Sequence, residues 1–517
     1  VSRFYLTTAI DYANGDPHIG HALEKIGADV IARYHRQQGH DVHLLIGMDE
    51  HGQKVQQTAA QRGLPPQAFT DEIAARFQAT WARLGVRYDQ FIRTTEARHE
   101  AGVQALIRRI AERHPDDFYE RSYRGLYCVG CEAFKLDADI VEGRCAVHPT
   151  RVLEEVEERN WFFRLSKYQP FLQALLAEQP DFIRPESRRN EILGLLAQGL
   201  EDVSASRARL DWAVPFPLPL STGEVQGTYV WFDALPNYLT ATGFPDGDWD
   251  TRWPADLHLI GKDITRFHVV IWPAMLHAAG LPLPRQVWAH GFVQLGGERF
   301  SKSAGVKLDL GEAIDRFGAD AFRYVLLREV PFDGDGNFSW ERFEERFTSD
   351  LANAFGNLAS RAIAMVEKYC GGIVPHAEVP AVEADDAIDV AAYHAAMDGR
   401  RGWLLHEGLA AVARMTARAN EYAQGSAPWT LARDPERRGD LEVVLSSLIR
   451  RIARQAVLLA PFMPEKTATL WSQLGGPGTV DAVRDPSAIG IGGWRVTKGA
   501  PLFPRPVGEP PGAVPAG

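Results

Sequence analysis

Residues 4–34 read FYLTTAIDYANGDPHIGHALEKIGADVIARY. The aromatic and β-branched run 4–8 predicts a strand, Asn14, Gly15, Asp16 and Pro17 predict a turn, and residues 19–34 carry helical periodicity. His18 and His21 then stand three residues apart on one face at the start of a helix, where free backbone N–H groups and the helix dipole favour an anion. Gly20, between them, lets a flat ligand approach closely. Taken alone, such a pair reads equally well as solvated or core histidines. As a site, two imidazoles beside a glycine suit a nucleotide whose α-phosphate gains charge during a displacement, which points to ATP.

Working outward, residues 291–305 read GFVQLGGERFSKSAG: a strand ends in a Gly-Gly turn, and a short cationic loop follows. A glycine-flanked loop carrying Arg299 and Lys302 is what a polyphosphate needs when charge shifts to a leaving pyrophosphate; a solvated charged turn is the bland alternative. Together the two stretches resemble the signature pair of class I aminoacyl-tRNA synthetases. The HIGH sequence is complete at His18, Ile19, Gly20 and His21, and the KMSKS sequence is partial at Arg299, Phe300, Ser301, Lys302 and Ser303. Arg299 keeps the charge of the usual Lys but has a wider, planar fork. No GxGxxG follows the first strand and no GxxxxGK[ST] occurs anywhere, so neither a dinucleotide fingerprint nor a P-loop competes for the ATP role.

The chain has 517 residues, 45% hydrophobic and 24% charged, an ordinary balance for two to four folded domains. No run approaches the ~18 to 20 apolar residues of a membrane span, and no signal peptide opens the chain, so a cytoplasmic location and no membrane partner are expected. A net charge of −11 argues against broad non-specific nucleic-acid binding and leaves any tRNA contact to local basic patches.

Strands near residues 4–8 and 42–48 alternate with helices, as in a parallel sheet with crossovers. GMDEHG at 47–52 places Asp49 at the carboxyl edge of that sheet, where α/β ligands bind and where a carboxylate could hold a substrate ammonium; helix N-cap is its competing role. Further on, Cys128 and Cys131, then Cys145 and His148, form two paired-ligand turns separated by thirteen residues. This is the spacing of a zinc knuckle, three thiolates and one imidazole for a structural Zn2+. A redox CxxC does not need the second pair. Residues 159–200 read as amphipathic helix broken at Pro170, Pro180 and Pro185, and residues 214–220 as an extended return to the sheet.

Three strand-like runs follow, TYVWFD at 228–233, LHLIG at 257–261 and VWAHGF at 287–292. Ile264, Phe267, His268 and Trp272 share one helical face, so a core stripe is the simple reading. The interrupting His268 and the surrounding Trp231, Ala234, Leu235 and Tyr238 favour a polarisable wall, which suits a thioether.

TTAIDY, GMDEHG, CxxC with CxxH, YVWFDAL, HLIGKDITRFH and WPAML, in this order, resemble the methionyl-tRNA synthetase family, bacterial type with one zinc knuckle, over residues 1 to about 480. The resemblance implies an α/β fold. A Rossmann-type parallel-sheet catalytic domain would carry a zinc-knuckle connective insertion and be followed by an all-α anticodon-binding bundle. Its boundaries would be 1–114, 115–220 with the knuckle at 122–152, 221–330, a linker 331–350, the bundle 351–480, and a partly disordered extension 481–517. It further implies L-methionine bound by Ile10, Tyr12, Asp49, Trp231, Ala234, Leu235, Tyr238, Ile264, Phe267, His268 and Trp272, with Asp49 on the amino group and Tyr12 and His268 flanking the sulfur. ATP with Mg2+ would meet His18, Gly20, His21, Gly261, Asp263, Phe292, Arg299, Ser301 and Lys302, of which His18, His21 and Lys302 would be catalytic. Met48 departs from the Thr or Asp common at that family position.

Asn357 and Arg361, in GNLASR, lie at i, i+4, and Trp429 follows Pro428 at a helix end. Solvated pairs are common at such spacing. The resemblance implies that these three read the CAU anticodon of initiator and elongator methionine tRNA, an unpaired base stacking on Trp429. The final FPRPVGEPPGAVPAG reads as a disordered tail, and without an appended oligonucleotide-binding domain a monomer is expected. Two other functions remain open at this level: a synthetase-like ligase loading a small acceptor, and a catalytically silent RNA-binding module.

Overall fold

The computed structural model describes residues 2–128, 133–135, 140–146, 152–208, 210–295, 298–299 and 310–504; Cys131, His148, Phe300, Ser301 and Lys302 lie outside them. Seven strands form one sheet: β1 (Arg3–Thr8), β2 (Asp11–Tyr12), β3 (Asp41–Asp49), β4 (Gln90–Arg93), β5 (Ile183–Arg184), β6 (Leu257–Gly261) and β7 (Val287–His290). The spatial order is β5-β7-β6-β1-β3-β2, with β4 on the far side of β3, and every pairing is parallel. Residues Leu6, Leu44 and Ile46 feed the core on one side, Tyr5 and Leu45 the core on the other, as the two-residue period of a doubly covered sheet requires.

The chain leaves β1, crosses through helix α1 (Ile19–Gln37) and returns as β3, while β6 lies against the opposite side of β1. The strand order therefore reverses at β1, and the crevice beyond the carboxyl ends of β1 and β6 is where such sheets bind ligands. Residues 9–12, 49–51, 261–264 and 290–293 all gather there. Gly47 has no alternative in this sheet: a Cβ would lie 2.2 Å from the carbonyl oxygen of Ile92 on β4.

Three expectations from local pattern are corrected. TYVWFD is strand only at Gly227–Thr228; residues Val230–Ala234 form a short helix, α2, with Val230, Phe232, Asp233 and Ala234 all buried. A short apolar run does not separate a buried strand from a buried helix by period alone. Residues 159–163 are not helical but end the long strand Glu154–Phe163, which pairs antiparallel with Phe118–Cys128; a 3-10 turn at Leu165–Tyr168 and helices at Gln169–Glu178 and Glu186–Gln198 follow. Positions 264 to 272 are not one regular helix: a 3-10 turn (Lys262–Ile264) and a π-helical turn (Phe267–Ile271) precede helix Trp272–Ala279.

Beyond the sheet the described chain is mainly helical, through Ala319–Glu329, Asn357–Cys370, Leu405–Ser426, Arg438–Leu459 and Pro464–Leu474. Arg323, fully buried, ties this region to α1: it donates to Asp29 Oδ2 at 2.6 Å and to the carbonyls of Pro461, Phe462 and Leu84. Phe503, the first residue of the stretch expected to be disordered, packs instead on Phe347.

Candidate functional site

His18 is the N-cap of α1. Its Nδ1 accepts from the backbone N–H of Gly20 at 3.1 Å and of His21 at 3.4 Å, and His21 Nδ1 accepts from the His18 N–H at 3.2 Å. This is a capping box in which imidazoles replace the usual Ser and Glu. The rings stack at 3.6 Å. Because both Nδ1 atoms serve as acceptors, the neutral form of each ring carries its proton on Nε2. His18, Gly20 and His21 line a cavity of about 330 Å³ whose opposite side is Gly261, Asp263 and Phe292. Asp263 ends no strand; it lies in the 3-10 turn after β6, and Phe292 follows β7.

Under this cavity lies a charged group that local sequence does not single out. Lys25, with no exposure, donates to Asp11 Oδ1 at 2.9 Å, Glu24 Oε1 at 2.7 Å and the carbonyl of Ala9 at 2.9 Å, and Glu24 Oε2 lies 3.2 Å from His290 Nε2. Burial opposes the charge on Glu24, but Lys25 and His290 outweigh it and lower its pKa. Burial, offset only in part by Lys25 and reinforced by Glu24, pushes the Asp11 carboxyl up to about 7.

A second cavity of about 220 Å³ is lined by Ile10, Tyr12, Asp49, Trp231, Ala234, Leu235, Tyr238, Ile264 and His268, with Ala9 and Val230. Asp49 does not cap the helix that follows, whose N-cap is Gly52, so its competing role is removed. Phe267 and Trp272, expected in the wall, stand one layer back. Phe267 stacks flat on Trp231 at 3.8 Å, and Trp272 is fully buried 6.3 Å from the Tyr238 ring, donating to His258 Nε2 at 3.2 Å. The π-helical turn rather than a regular helix sets these positions apart.

His268 Nδ1 donates to the carbonyl of Ile264 at 3.0 Å, so its Nε2 is the acceptor for the Tyr238 hydroxyl at 2.6 Å. Burial lowers the His268 pKa to about 4 and keeps the ring neutral. The Tyr238 hydroxyl is likewise held protonated by burial. The cavity thus combines aromatic and aliphatic walls, one neutral Tyr–His pair and one carboxylate, a chemistry that fits an apolar chain ending in an ammonium. Ala9, Ile10, Tyr12 and Ile264 belong to both cavities, so a single ligand with an apolar amino-acid end and a nucleotide end can lie across them.

Elsewhere, Cys128 and Cys145 are buried and form no disulfide, and their expected partners Cys131 and His148 lie outside the described residues, as do Ser301 and Lys302. No group of three or more metal-ligating side chains occurs among the described residues. Arg299 is placed only by its backbone, in a two-residue strand. In the helical region the Arg361 guanidinium lies 5.4 Å from the Trp429 ring centroid, and Asn357, one turn earlier, is exposed. Ala427 precedes that tryptophan with φ +42°, a left-handed conformation unusual for a residue with a side chain.

A family model described as tRNA synthetases class I (M) matches residues 4–155 and 136–363. A methionine–tRNA ligase of Rhizobium meliloti is 44% identical over 520 residues, covering 98% of this chain and 98% of that protein. One of Streptomyces coelicolor is 40% identical over 530 residues, covering 97% of this chain and 96% of the relative. Among solved structures, Mycobacterium tuberculosis methionyl-tRNA synthetase in complex with methionyl-adenylate superposes with a TM-score of 0.91 at 38% identity, covering 98% of this chain and 100% of that one. Its apo form superposes at 0.84, with 35% identity and 99% of each chain covered.

Proposed function

The chain belongs to the methionyl-tRNA synthetases of class I, and on that premise we propose how its own residues divide the work. The reaction is the ATP-dependent activation of L-methionine to methionyl-adenylate and its transfer to tRNA. The methionine carboxylate oxygen attacks the α-phosphorus in line, the bond to the β-phosphate oxygen breaks, and pyrophosphate leaves. Asp49 takes the ammonium; Ile10, Trp231, Ala234, Leu235 and Ile264 enclose the side chain; Tyr12 and His268 flank the sulfur, with Tyr238 holding His268. Phe267 backs Trp231 and Trp272 backs Tyr238.

His18 and His21 donate from Nε2 to the phosphate as charge develops, using helix-fixed rings that need no rearrangement. Gly20, Gly261, Asp263 and Phe292 seat the nucleoside, and the loop with Arg299, Ser301 and Lys302 neutralises the departing pyrophosphate. Mg2+, when bound to the nucleotide, offsets charge on the β- and γ-phosphates. Zn2+ would be held by Cys128, Cys131, Cys145 and His148 in a structural role; the burial of Cys128 and Cys145 outside any disulfide fits that donor set. The acceptor is the terminal ribose of a CAU-anticodon tRNA, through its 2′-hydroxyl, with Asn357, Arg361 and Trp429 reading the anticodon. We further place the protein in the cytoplasm, as a monomer.

The observation that carries this reading is the sharing of Ala9, Ile10, Tyr12 and Ile264 by the imidazole-lined and the apolar cavity. Steady-state pyrophosphate exchange on Asp49→Ala tests it. Loss of the ammonium contact raises the methionine KM by about 100-fold with the ATP KM within twofold. An unchanged methionine KM would overturn the assignment of the amino-acid site.

A further inference from the structure

Asp233 is buried with no exposure, and both of its carboxylate oxygens are committed to imidazoles from different elements. Oδ2 lies 2.7 Å from His51 Nδ1 and Oδ1 lies 2.9 Å from His99 Nε2. His99, on the helix Ala97–Arg113, is fully buried and its Nδ1 lies 2.8 Å from the Thr240 hydroxyl. His51 follows Asp49 by two residues. Asp233 sits on α2 beside Trp231, Ala234 and Leu235. The pair therefore spans the two segments that contribute the carboxylate and the apolar wall of the amino-acid cavity.

We propose that the buried His51–Asp233–His99 cluster is a positioning device for amino-acid recognition: it holds the Asp49 loop at one spacing from the Trp231–Leu235 wall. A ligand gripped at its ammonium by one segment and along its side chain by the other binds well only if that spacing is fixed in advance. This inference rests on the assignment of that cavity to methionine. Packing alone does not account for the cluster, because a buried ionised group gains little over apolar residues of the same volume, whereas its hydrogen bonds fix direction. The same loop is held at its other side: Trp212 Nε1 donates to the Glu50 carbonyl at 2.6 Å and the Gly52 N–H to the Trp212 carbonyl at 3.0 Å.

The groups facing His51 are Asp233 on α2, Glu100 on the helix Ala97–Arg113, Glu50 on its own loop and the Trp212 ring. Burial opposes its charge, but Asp233, aided by Glu100 and Glu50, outweighs burial and raises its pKa; burial likewise opposes the charge on Asp233, and His51 with His99 brings that carboxyl down to about 2. The ion pair is complete while His51 is protonated and is lost as pH rises through its raised value. The methionine KM is then lowest on the acid side of that value and climbs above it.

Methionine-dependent pyrophosphate exchange on wild type, Asp233→Asn and His51→Gln tests this. The asparagine keeps volume but cannot accept from both imidazoles. The expected result in both variants is a methionine KM raised by about 10-fold with the ATP KM within twofold; the alkaline rise in KM moves to lower pH in Asp233→Asn and disappears in His51→Gln, whose amide does not titrate. Competition by 4-(methylthio)butanoate, which lacks the ammonium, separates positioning from bulk stability: its disadvantage relative to methionine narrows in the variants. Should Asp233→Asn fail to fold, His99→Gln and the wild-type pH profile carry the same test. Variants that melt earlier but keep the wild-type KM, analogue gap and pH limb overturn the proposal, as does a KM rise shared equally by ATP. Wild-type protein without any methionine-dependent exchange removes the function reading itself.

Discussion

In the proposed function His18 and His21 each do two things with one ring: Nδ1 accepts in the first turn of α1, and Nε2–H donates to the phosphate. His18→Asn separates the two, since asparagine is a good N-cap but carries no equivalent of Nε2. Thermal unfolding and exchange kinetics should show a midpoint close to wild type with kcat lower by about 100-fold, whereas His18→Ala should lose both rate and about 1 kcal/mol of stability. A His18→Asn protein with wild-type kcat would remove His18 from the chemistry. His268 gives a prediction with a sign. Its folded pKa, about 4, lies below the ordinary value, so the protonated ring prefers the unfolded chain. Stability is complete above about pH 6.5 and declines as pH falls towards 4, and His268→Gln should flatten that limb in a pH series of chemical unfolding curves. At this scale the sequence displayed the histidine spacing and the aromatic residues of the cavity. It could not display Lys25, Asp11, Glu24 and His290 as one group, or His51 with Asp233, because those partners come together only across the folded sheet.

Elements differ in how openly they announce themselves. Helix α1 has caps, period and an Asn-Gly-Asp-Pro turn before it, and all are local; α2 has none of these, and its strand-like run of Val, Trp and Phe forms a helix that buries four of its five residues and turns Trp231 to the cavity. The strand from Glu154 to Phe163 depends on Phe118–Cys128, a partner that no local window contains. Between elements, the Asp29–Arg323 pair joins α1 to Ala319–Glu329, with neither side chain exposed. Arg323→Met should lower the free energy of unfolding by about 3 to 5 kcal/mol, read from urea denaturation, because Asp29 and the Phe462 and Pro461 carbonyls lose their donor together. A loss below ~1 kcal/mol would mean that Arg33, 2.7 Å from Asp29, satisfies it alone.

Over the whole molecule, the parallel sheet and the helical region after it were legible in the sequence through strand–helix alternation and helical periodicity, whereas the strand order that sets the switch point at β1 was not. Strand register was not, nor the docking of residues up to Phe503 on the helices. In the proposed function, activation and anticodon reading lie in separate parts of the chain, so they should fail separately. Trp429→Ala, which also removes the ring beside Arg361, should leave pyrophosphate exchange within twofold and reduce tRNA charging by 10-fold or more, about the worth of one stacked base.

The most direct measurement is methionine-dependent exchange of labelled pyrophosphate into ATP, with leucine, cysteine and homocysteine in parallel, followed by charging of CAU-anticodon tRNA by the same preparation. The account predicts exchange strongest with methionine and charging of that tRNA. Exchange without charging would point to a small acceptor in place of tRNA, and absence of both in zinc-replete protein would contradict the assignment of the two joined cavities to methionine and ATP.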